Sequence, residues 1–205
     1  MLKNVYNLLS RVYKLIYNIS IDFTYGHFLG GNIKSKFKNA GAYDTVNSSY
    51  FLLPKLFANT TITEKDVIVD IGCGKGRVIN WLLAQGKRNK IIGIELDPDI
   101  AEETKKRLRQ HKNVEIIHGN VLDCLPSNGT LFYLYNPFNA DILKKFINCL
   151  LNQHHLLNTE ITIIYHNCQH LNIFQKDSRF IINEIDIPSD THSSALIKLS
   201  PQNKF

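Results

Sequence analysis

The stretch Val67–Arg77, with the sequence VIVDIGCGKGR, constrains this chain more than any other. Apolar and β-branched residues lead into Asp70, and Gly72, Gly74 and Gly76 then follow at every second position. The pattern predicts a buried strand, a tight glycine loop and the start of a helix. Glycine adopts positive φ without steric cost and lets a ligand lie against bare backbone. Backbone amides at a helix start point at whatever lies above the loop, so the stretch predicts a ligand site.

The glycine spacing discriminates between classes of ligand. A dinucleotide-binding loop reads G-x-G-x-x-G, and a phosphate-binding Walker loop reads G-x-x-x-x-G-K-[ST]. Here the order is G-x-G-x-G, and Lys75 stands outside the Walker frame. Asp70, two residues before the first glycine, would repel a pyrophosphate. The loop therefore favours a ligand with a cationic or hydroxyl-bearing end.

The segment D-I-G-C-G-K-G resembles motif I of the class I S-adenosylmethionine-dependent methyltransferases. The resemblance implies that the loop lies under the methionine part of S-adenosylmethionine, which becomes the expected cofactor. The longer pattern D-I-G-C-G-K-G-R…Y-N-P-F…Y-H-N is similar to small, poorly characterised bacterial members of that family.

Apolar runs alternate with helical patterns from Val67 onwards, which predicts a mostly parallel sheet. The last two runs, Phe180–Ile187 and Ala195–Leu199, have no long helix between them, so one strand should run antiparallel. We expect an α/β fold: a Rossmann-like seven-stranded methyltransferase sheet, mostly parallel with one antiparallel strand, and helices on both faces. We divide the chain into an N-terminal helical and loop extension (residues 1–60) and an S-adenosylmethionine-binding domain (residues 61–205).

Polar residues follow the apolar run of each of the first five predicted strands. They are Asp70, Glu95, Asn120, Asn136 and His166–Asn167. In open parallel sheets, ligands bind beyond the carboxyl ends of the strands. We therefore expect these side chains to meet at one rim of the sheet.

The resemblance assigns roles at the first three strand ends. Glu95, about 20 residues past the loop, would accept both ribose hydroxyls of the cofactor. Gly119-Asn120-Val121 resembles the segment that contacts adenine, and the Asn120 carbonyl can accept from an amino group. The expected cofactor-binding residues are Asp70, Gly72, Gly74, Gly76, Glu95, Asn120 and Val121.

The candidate catalytic residues are Asn136, Pro137, Phe138 and His166. Family members that methylate amino or amide nitrogens carry Asn or Asp, two prolines and an aromatic residue where this chain reads N-P-F. The carbonyls there orient the target nitrogen and the aromatic ring stacks on it. With one proline missing, the segment is equally a turn that shapes the pocket. His166 could act as a general base, because the unperturbed pKa of histidine is near neutral, yet a lone histidine is more often a hydrogen-bonded residue.

Composition limits the partners and the compartment. The net charge of +6 and pI near 9.1 are compatible with an anionic methyl acceptor such as nucleic acid, or with merely solvated charge. The four cysteines form no C-x-x-C pair and the histidines lack metal-ligand spacing, so we expect no metal and a cytoplasmic protein. No apolar run reaches the ~18 residues of a membrane span.

The first 60 residues carry weaker signals. Residues 1–20 form a basic amphipathic pattern, typical either of a helix on a membrane surface or of one that packs on the domain or caps its cleft. Residues 20–41, rich in glycine and lysine, suggest a lid or a solvated linker. Residues 44–57 resume a helical pattern, kinked at Pro54.

The sequence thus predicts a methyltransferase that uses S-adenosylmethionine on an unidentified acceptor, with a nitrogen positioned by Asn136-Pro137-Phe138 as one option. The alternative is a non-catalytic S-adenosylmethionine-binding partner or sensor module, because the N-P-F motif is incomplete and no base is clear. A nucleotide-sugar or NAD enzyme would need a phosphate-binding loop, which the glycine spacing disfavours.

Overall fold

The computed structural model describes residues 2–157, 159–187 and 190–200. The strands are β1 (Val67–Ile71), β2 (Lys90–Glu95), β3 (Val114–His118), β4 (Leu131–Tyr135), β5 (Ile161–His166), β6 (Phe180–Ile185) and β7 (Ser194–Leu199). The helices are α1 (Leu2–Thr24), α2 (Leu53–Leu56), α3 (Arg77–Ala84), α4 (Pro98–Leu108), α5 (Val121–Cys124), α6 (Ala140–Leu157) and α7 (Leu171–Gln175). A 3₁₀ turn spans Lys38–Ala40.

The strands form one seven-stranded sheet in the order β3-β2-β1-β4-β5-β7-β6. Strands β1 to β5 pair in parallel, and β7 runs antiparallel to both of its neighbours, β5 and β6. The predicted fold class is therefore confirmed. The chain builds outward from β1 to β3 on one side and from β4 on the other, so the strand order reverses between β1 and β4. Ligands bind at such a reversal in open α/β sheets.

Strand β1 is covered on both faces, which explains its continuous apolar run. Val69 and Ile71 belong to a core cluster that includes Phe146 of α6. Ile68, whose side chain points to the opposite face, packs in a second cluster with Ile79 of α3. The predicted helices on both faces are thus confirmed, and the buried sheet fixes where its strand ends lie.

The N-terminal extension shares the second of these cores. Tyr50, Leu53 and Phe57 are buried there, and the Phe57 ring centre lies 4.8 Å from that of Trp81 in α3. The helix predicted over residues 44–57 is wrong, because only Leu53–Leu56 is helical. Pro54 stands in the first turn of that short helix, where its missing N–H removes no helical bond. The division at residue 60 stays a prediction.

Helix α1 is anchored at its C-terminal part. The Asp22 carboxylate is fully buried and accepts hydrogen bonds from Arg77 Nε (3.0 Å), the Tyr50 hydroxyl (2.8 Å) and Leu29 N (3.1 Å). The preceding turns leave large apolar side chains exposed, namely Val5, Leu8, Leu9, Val12, Tyr13, Leu15 and Ile16. The C-terminal part of α1 thus packs on the domain. None of the helices within the described residues has the length and apolar character needed to cross a membrane.

Candidate active site

A cleft opens at the carboxyl ends of β1, β2 and β4. Most of the predicted site residues line it: Asp70, Gly72, Gly74, Glu95, Asn120, Val121, Pro137 and Phe138. Residues from Ile33 to Ser48 form the opposite wall. The strand ends therefore meet at one rim, as the alternation of strands and helices predicts.

The glycine loop turns through left-handed backbone, with φ of +69° at Gly72 and +51° at Gly74. A Cβ on Gly72 would lie 2.9 Å from Pro137 Cβ, and one on Gly74 would lie 2.7 Å from Thr45 Cγ2. Both positions thus need glycine for conformation and for close packing. The side chain of Thr45 thus shares the space above Gly74 in which we expect a ligand, and the ligand role of this backbone stays a prediction.

Two buried acids face each other across the first two strand ends. Asp70 is 2% exposed, and its Oδ2 finds no hydrogen-bond partner within the part of the chain that the structure describes. Burial, and then the charge of Glu95, raises the pKa of the Asp70 carboxyl to about 8. Glu95 accepts from Gly74 N through Oε2 (2.8 Å) and from Asp97 N through Oε1 (2.9 Å). Burial also raises the pKa of Glu95.

The cations beside the glycine loop are committed elsewhere. Lys75 Nζ donates to the carbonyls of Leu29, Gly30 and Gly31 at 2.9–3.1 Å. Arg77 pairs with Asp22, as described above. These contacts hold the extension over the loop and leave the Asp70 carboxylate without a compensating charge. A cationic group of a ligand would supply that charge, so the cleft fits the expected cofactor.

The third strand end carries the residues expected at adenine. Asn120 caps α5, and its Oδ1 accepts from Leu122 N at 3.0 Å. An amide oxygen has two lone pairs, so this bond leaves one acceptor site. Val121 is buried beside it on the cleft wall. Gly76 does not line the cleft but forms the N-cap of α3, with φ of +74°. The cofactor roles of these residues stay predictions.

The N-P-F segment lies where β4 ends, and its carbonyls already have partners. Asn136, with φ of +39°, accepts the Tyr165 hydroxyl at Oδ1 (2.9 Å). The Pro137 carbonyl accepts from Tyr43 N (3.1 Å). Phe138 is 7% exposed and its ring centre lies 5.9 Å from that of Phe146. The segment therefore shapes the pocket in this state, and a nitrogen acceptor would have to exchange with these bonds.

A second cavity adjoins the cleft and is lined by Asn136, Asn167 and His192, while Tyr43 and Tyr135 line both. His166 lines neither cavity. It is 1% exposed, lies behind Tyr135 with ring centres 4.3 Å apart, and its Nδ1 is 2.9 Å from Ser194 Oγ. Burial lowers the pKa of His166 to about 4, although Asp190 opposes the shift. The general-base role stays a prediction that this position does not favour.

Comparison with known proteins agrees with this geometry. A family model described as a methyltransferase domain matches residues 68–150, which contain the glycine loop, Glu95, Asn120 and the N-P-F segment. This matched segment is a methyltransferase domain, in agreement with the resemblance of the glycine loop to the class I S-adenosylmethionine-dependent methyltransferases. The match begins at β1 and ends within α6, so it leaves the N-terminal wall of the methyltransferase cleft outside.

Two relatives with sequences similar to this chain are named as ribosomal RNA methyltransferases. The chain is 30% identical over 97 residues to an rRNA adenine N-6-methyltransferase of Limosilactobacillus reuteri, covering 45% of this chain and 39% of that protein. It is 23% identical over 177 residues to ribosomal RNA small subunit methyltransferase A of Coxiella burnetii, covering 76% and 68%. The chain thus spans about two fifths of the first relative's length.

The solved structure of an RNA methyltransferase from Salinibacter ruber in complex with S-adenosyl-L-homocysteine has a similar fold. It aligns with a TM-score of 0.57 at 20% identity, covering 78% of this chain and 96% of that chain. At this identity the likeness bears on the fold of the methyltransferase domain alone.

Sequence reasoning missed the wall formed by residues 33–48. Tyr43 and Thr45 lie there against the N-P-F segment and the glycine loop, and Ser48 Oγ lies 3.0 Å from the Tyr133 hydroxyl. The only signal available was the lid interpretation of the neighbouring glycine- and lysine-rich residues 20–41. A loop pattern indicates exposure but does not indicate which surface the loop covers.

Proposed function

We propose that this protein transfers the methyl group of S-adenosylmethionine to a base nitrogen of RNA. The observation that carries the cofactor part of the proposal is the buried Asp70 side chain, which lies beside Glu95 near the end of β1 and whose Oδ2 has no hydrogen-bond partner in the described part of the chain. A buried carboxylate without a partner is costly, and a cationic ligand offsets that cost. The sulfonium cofactor of this family carries such a charge.

The residues that would hold the cofactor follow from the cleft. Asp70 and Glu95 would hold its cationic and hydroxyl-bearing parts, the loop at Gly72 and Gly74 would pass beneath it, and Asn120 would meet its adenine. S-adenosylmethionine supplies a methyl group already activated by the sulfonium. The protein then needs chiefly to position the acceptor in line, which by itself supplies much of the rate.

Support for an RNA acceptor comes from the relatives, the charge and the N-P-F segment. Two relatives are named as ribosomal RNA methyltransferases, and the chain carries a net charge of +6. Lys34 and Lys38 lie on the walls of the two cavities, where they would meet phosphates. Asn136 would release the Tyr165 hydroxyl and accept a hydrogen bond from the target nitrogen.

Two measurements test the proposal in sequence. Titration calorimetry with S-adenosylmethionine should give one site per chain that Glu95→Ala abolishes or weakens strongly. Tritiated methyl transfer should then label RNA in a mixture of ribosomal RNA, DNA and protein acceptors. Binding without transfer to RNA would favour the sensor-module alternative, and labelling confined to DNA or protein would overturn the RNA assignment.

A further inference from the structure

Three side chains with metal-binding atoms meet at the end of β5. His166 ends that strand, and Asp190 and His192 lie in the connection between β6 and β7. Asp190 Oδ1 lies 2.9 Å from His192 Nδ1, and Asp190 Oδ2 lies 3.6 Å from His166 Nδ1. One ligand atom from each residue falls within 4.8 Å of the others. The cluster cannot be recognised from sequence spacing, because the antiparallel pairing of β7 with β5 brings its residues together.

The cluster is electrostatically incomplete. The Asp190 side chain is 6% exposed and that of His166 1% exposed. Asp190 Oδ2, the atom that faces His166 Nδ1, is buried without a hydrogen-bond partner in the described residues. Within residues 2–157, 159–187 and 190–200, the ion-pair partners of Asp190 are His166 and His192 alone. A buried carboxylate with neither lysine nor arginine beside it needs another source of positive charge.

We propose that His166, Asp190 and His192 bind a divalent transition-metal ion, with Zn²⁺ preferred. Two imidazoles and one carboxylate suit Zn²⁺ and Fe²⁺, whereas Mg²⁺ and Ca²⁺ prefer sites made only of oxygen. Ligands about 2.0–2.1 Å from a tetrahedral Zn²⁺ are about 3.3 Å apart, so two of the separations already approach that value. His192, whose side chain is 41% exposed, can move inward to complete the set.

The site adjoins the acceptor end of the cleft. His192 lines the second cavity together with Tyr135 and Asn136. Three protein ligands leave a fourth position on Zn²⁺ for water or for an oxygen of the acceptor. A bound ion would therefore fix the β6–β7 connection as a wall of that cavity. The three ligands do not include Asp70 or Glu95, so the metal site is independent of the proposed methyl transfer.

The test is titration of the metal-free full chain with Zn²⁺ in the presence of a competing chromophoric chelator. One Zn²⁺ per chain should bind, and Asp190→Asn and His192→Ala should each weaken binding by at least about 100-fold, more than an outer-shell change usually does. Co²⁺ in place of Zn²⁺ should give the visible absorption of a four-coordinate nitrogen and oxygen site. His192 is partly exposed, so its variant should fold, which circular dichroism checks.

Two control variants make the result decisive. His27→Ala removes a histidine from an exposed pair with Glu103 (3.3 Å), which has no third metal-binding side chain among the described residues, and it should leave Zn²⁺ affinity unchanged. Ser194→Ala removes the hydroxyl that bonds His166 Nδ1, and it should preserve or strengthen Zn²⁺ binding. Stoichiometry below one, or equal affinity in wild type and His192→Ala, would overturn the proposal and leave a metal-free hydrogen-bonded cluster.

Discussion

The two halves of the cleft differ in how their polar groups are satisfied. In the cofactor half, formed by the ends of β1 to β3, backbone amides hold Glu95, and Asp70 Oδ2 has no hydrogen-bond partner among the residues that the structure describes. In the acceptor half, the polar groups bond each other, as Asn136 does with Tyr165 and the Pro137 carbonyl with Tyr43 N. The cofactor half is preorganised but lacks a positive charge beside Asp70. In the acceptor half, the internal hydrogen bonds must break before the polar groups can bind a substrate.

The halves also differ in how they are assembled. The cofactor half comes from one continuous stretch of about fifty residues, Asp70 to Val121, in which each acid or amide lies at or just beyond the end of its own strand. The acceptor half draws on four separated segments, which include Tyr43, Asn136, Asn167 and His192. Its geometry therefore depends on the tertiary fold, and in particular on how the extension is fastened over the sheet.

The largest effect should follow from breaking that fastening. Arg77→Met leaves the fully buried Asp22 carboxylate without its ion-pair partner, and we expect a loss of about 3–5 kcal/mol in the free energy of unfolding. Urea denaturation measures it. Arg179→Met breaks an exposed pair with Asp177 and should cost less than about 1 kcal/mol. Equal losses in the two variants would show that the Asp22 network does not hold the extension.

The next largest effect concerns the affinity for S-adenosylmethionine, which should depend on the cofactor half and not on the acceptor half. Glu95→Ala removes a carboxylate that fixes Gly74 N and is expected at the ribose, so the Kd for S-adenosylmethionine should rise by roughly 10- to 150-fold, or about 1.5–3 kcal/mol. Asn136→Ala should leave that Kd nearly unchanged while it lowers methyl transfer. Glu115→Ala, on exposed β3 surface, serves as the charge-matched control in calorimetry. If Asn136→Ala raised the Kd for S-adenosylmethionine as much as Glu95→Ala does, the two halves of the cleft would not be functionally separate.

The local character of the cofactor half explains why the sequence predicts it so well. A strand, a glycine loop and an acid at the next strand end are adjacent in the chain, so Asp70, Gly72 and Glu95 could be placed together before any coordinates. His166 also lies at the end of its strand, yet the sequence cannot show that the Tyr135 ring covers it. Thr45 was missed because no local pattern records that a loop packs against a glycine thirty residues later.

The affinity for a cationic cofactor should depend on pH through the Asp70 carboxyl. The pKa of Asp70 is raised to about 8, so the free protein holds a proton there at neutral pH. A cationic ligand favours the ionised carboxylate, and its affinity should therefore rise with pH up to about 8, by at most tenfold per unit. Calorimetry from pH 6 to pH 9 should show this rise for wild type and a smaller one for Asp70→Asn. Identical profiles would exclude Asp70 from cofactor binding.

The Asp70 carboxyl should also affect the free energy of unfolding, which should fall as pH rises, whereas cofactor affinity should increase. Its pKa in the folded protein lies above the ordinary value of 3.8, so the folded state binds the proton more tightly and loses stability as pH rises from about 4 to 8. Asp70→Asn removes that loss. The variant should therefore gain stability relative to wild type on going from pH 5 to pH 8, by at most about 1.4 kcal/mol per pH unit. A constant difference across that range would contradict the buried, protonated state.

The smallest effect concerns the self-paired acceptor half. Tyr165→Phe removes the hydroxyl that bonds Asn136 Oδ1, and we expect a loss of about 0.5–1.5 kcal/mol in unfolding free energy with no change in cofactor Kd. Because Asn136 no longer has to release a partner, the KM for the proposed RNA acceptor should fall or stay constant in Tyr165→Phe, whereas it should rise in Asn136→Ala. Tyr13→Phe, on the exposed face of α1, controls for loss of a phenol. A raised KM in Tyr165→Phe would mean that the Tyr165 bond holds Asn136 in its working position rather than competing with the substrate.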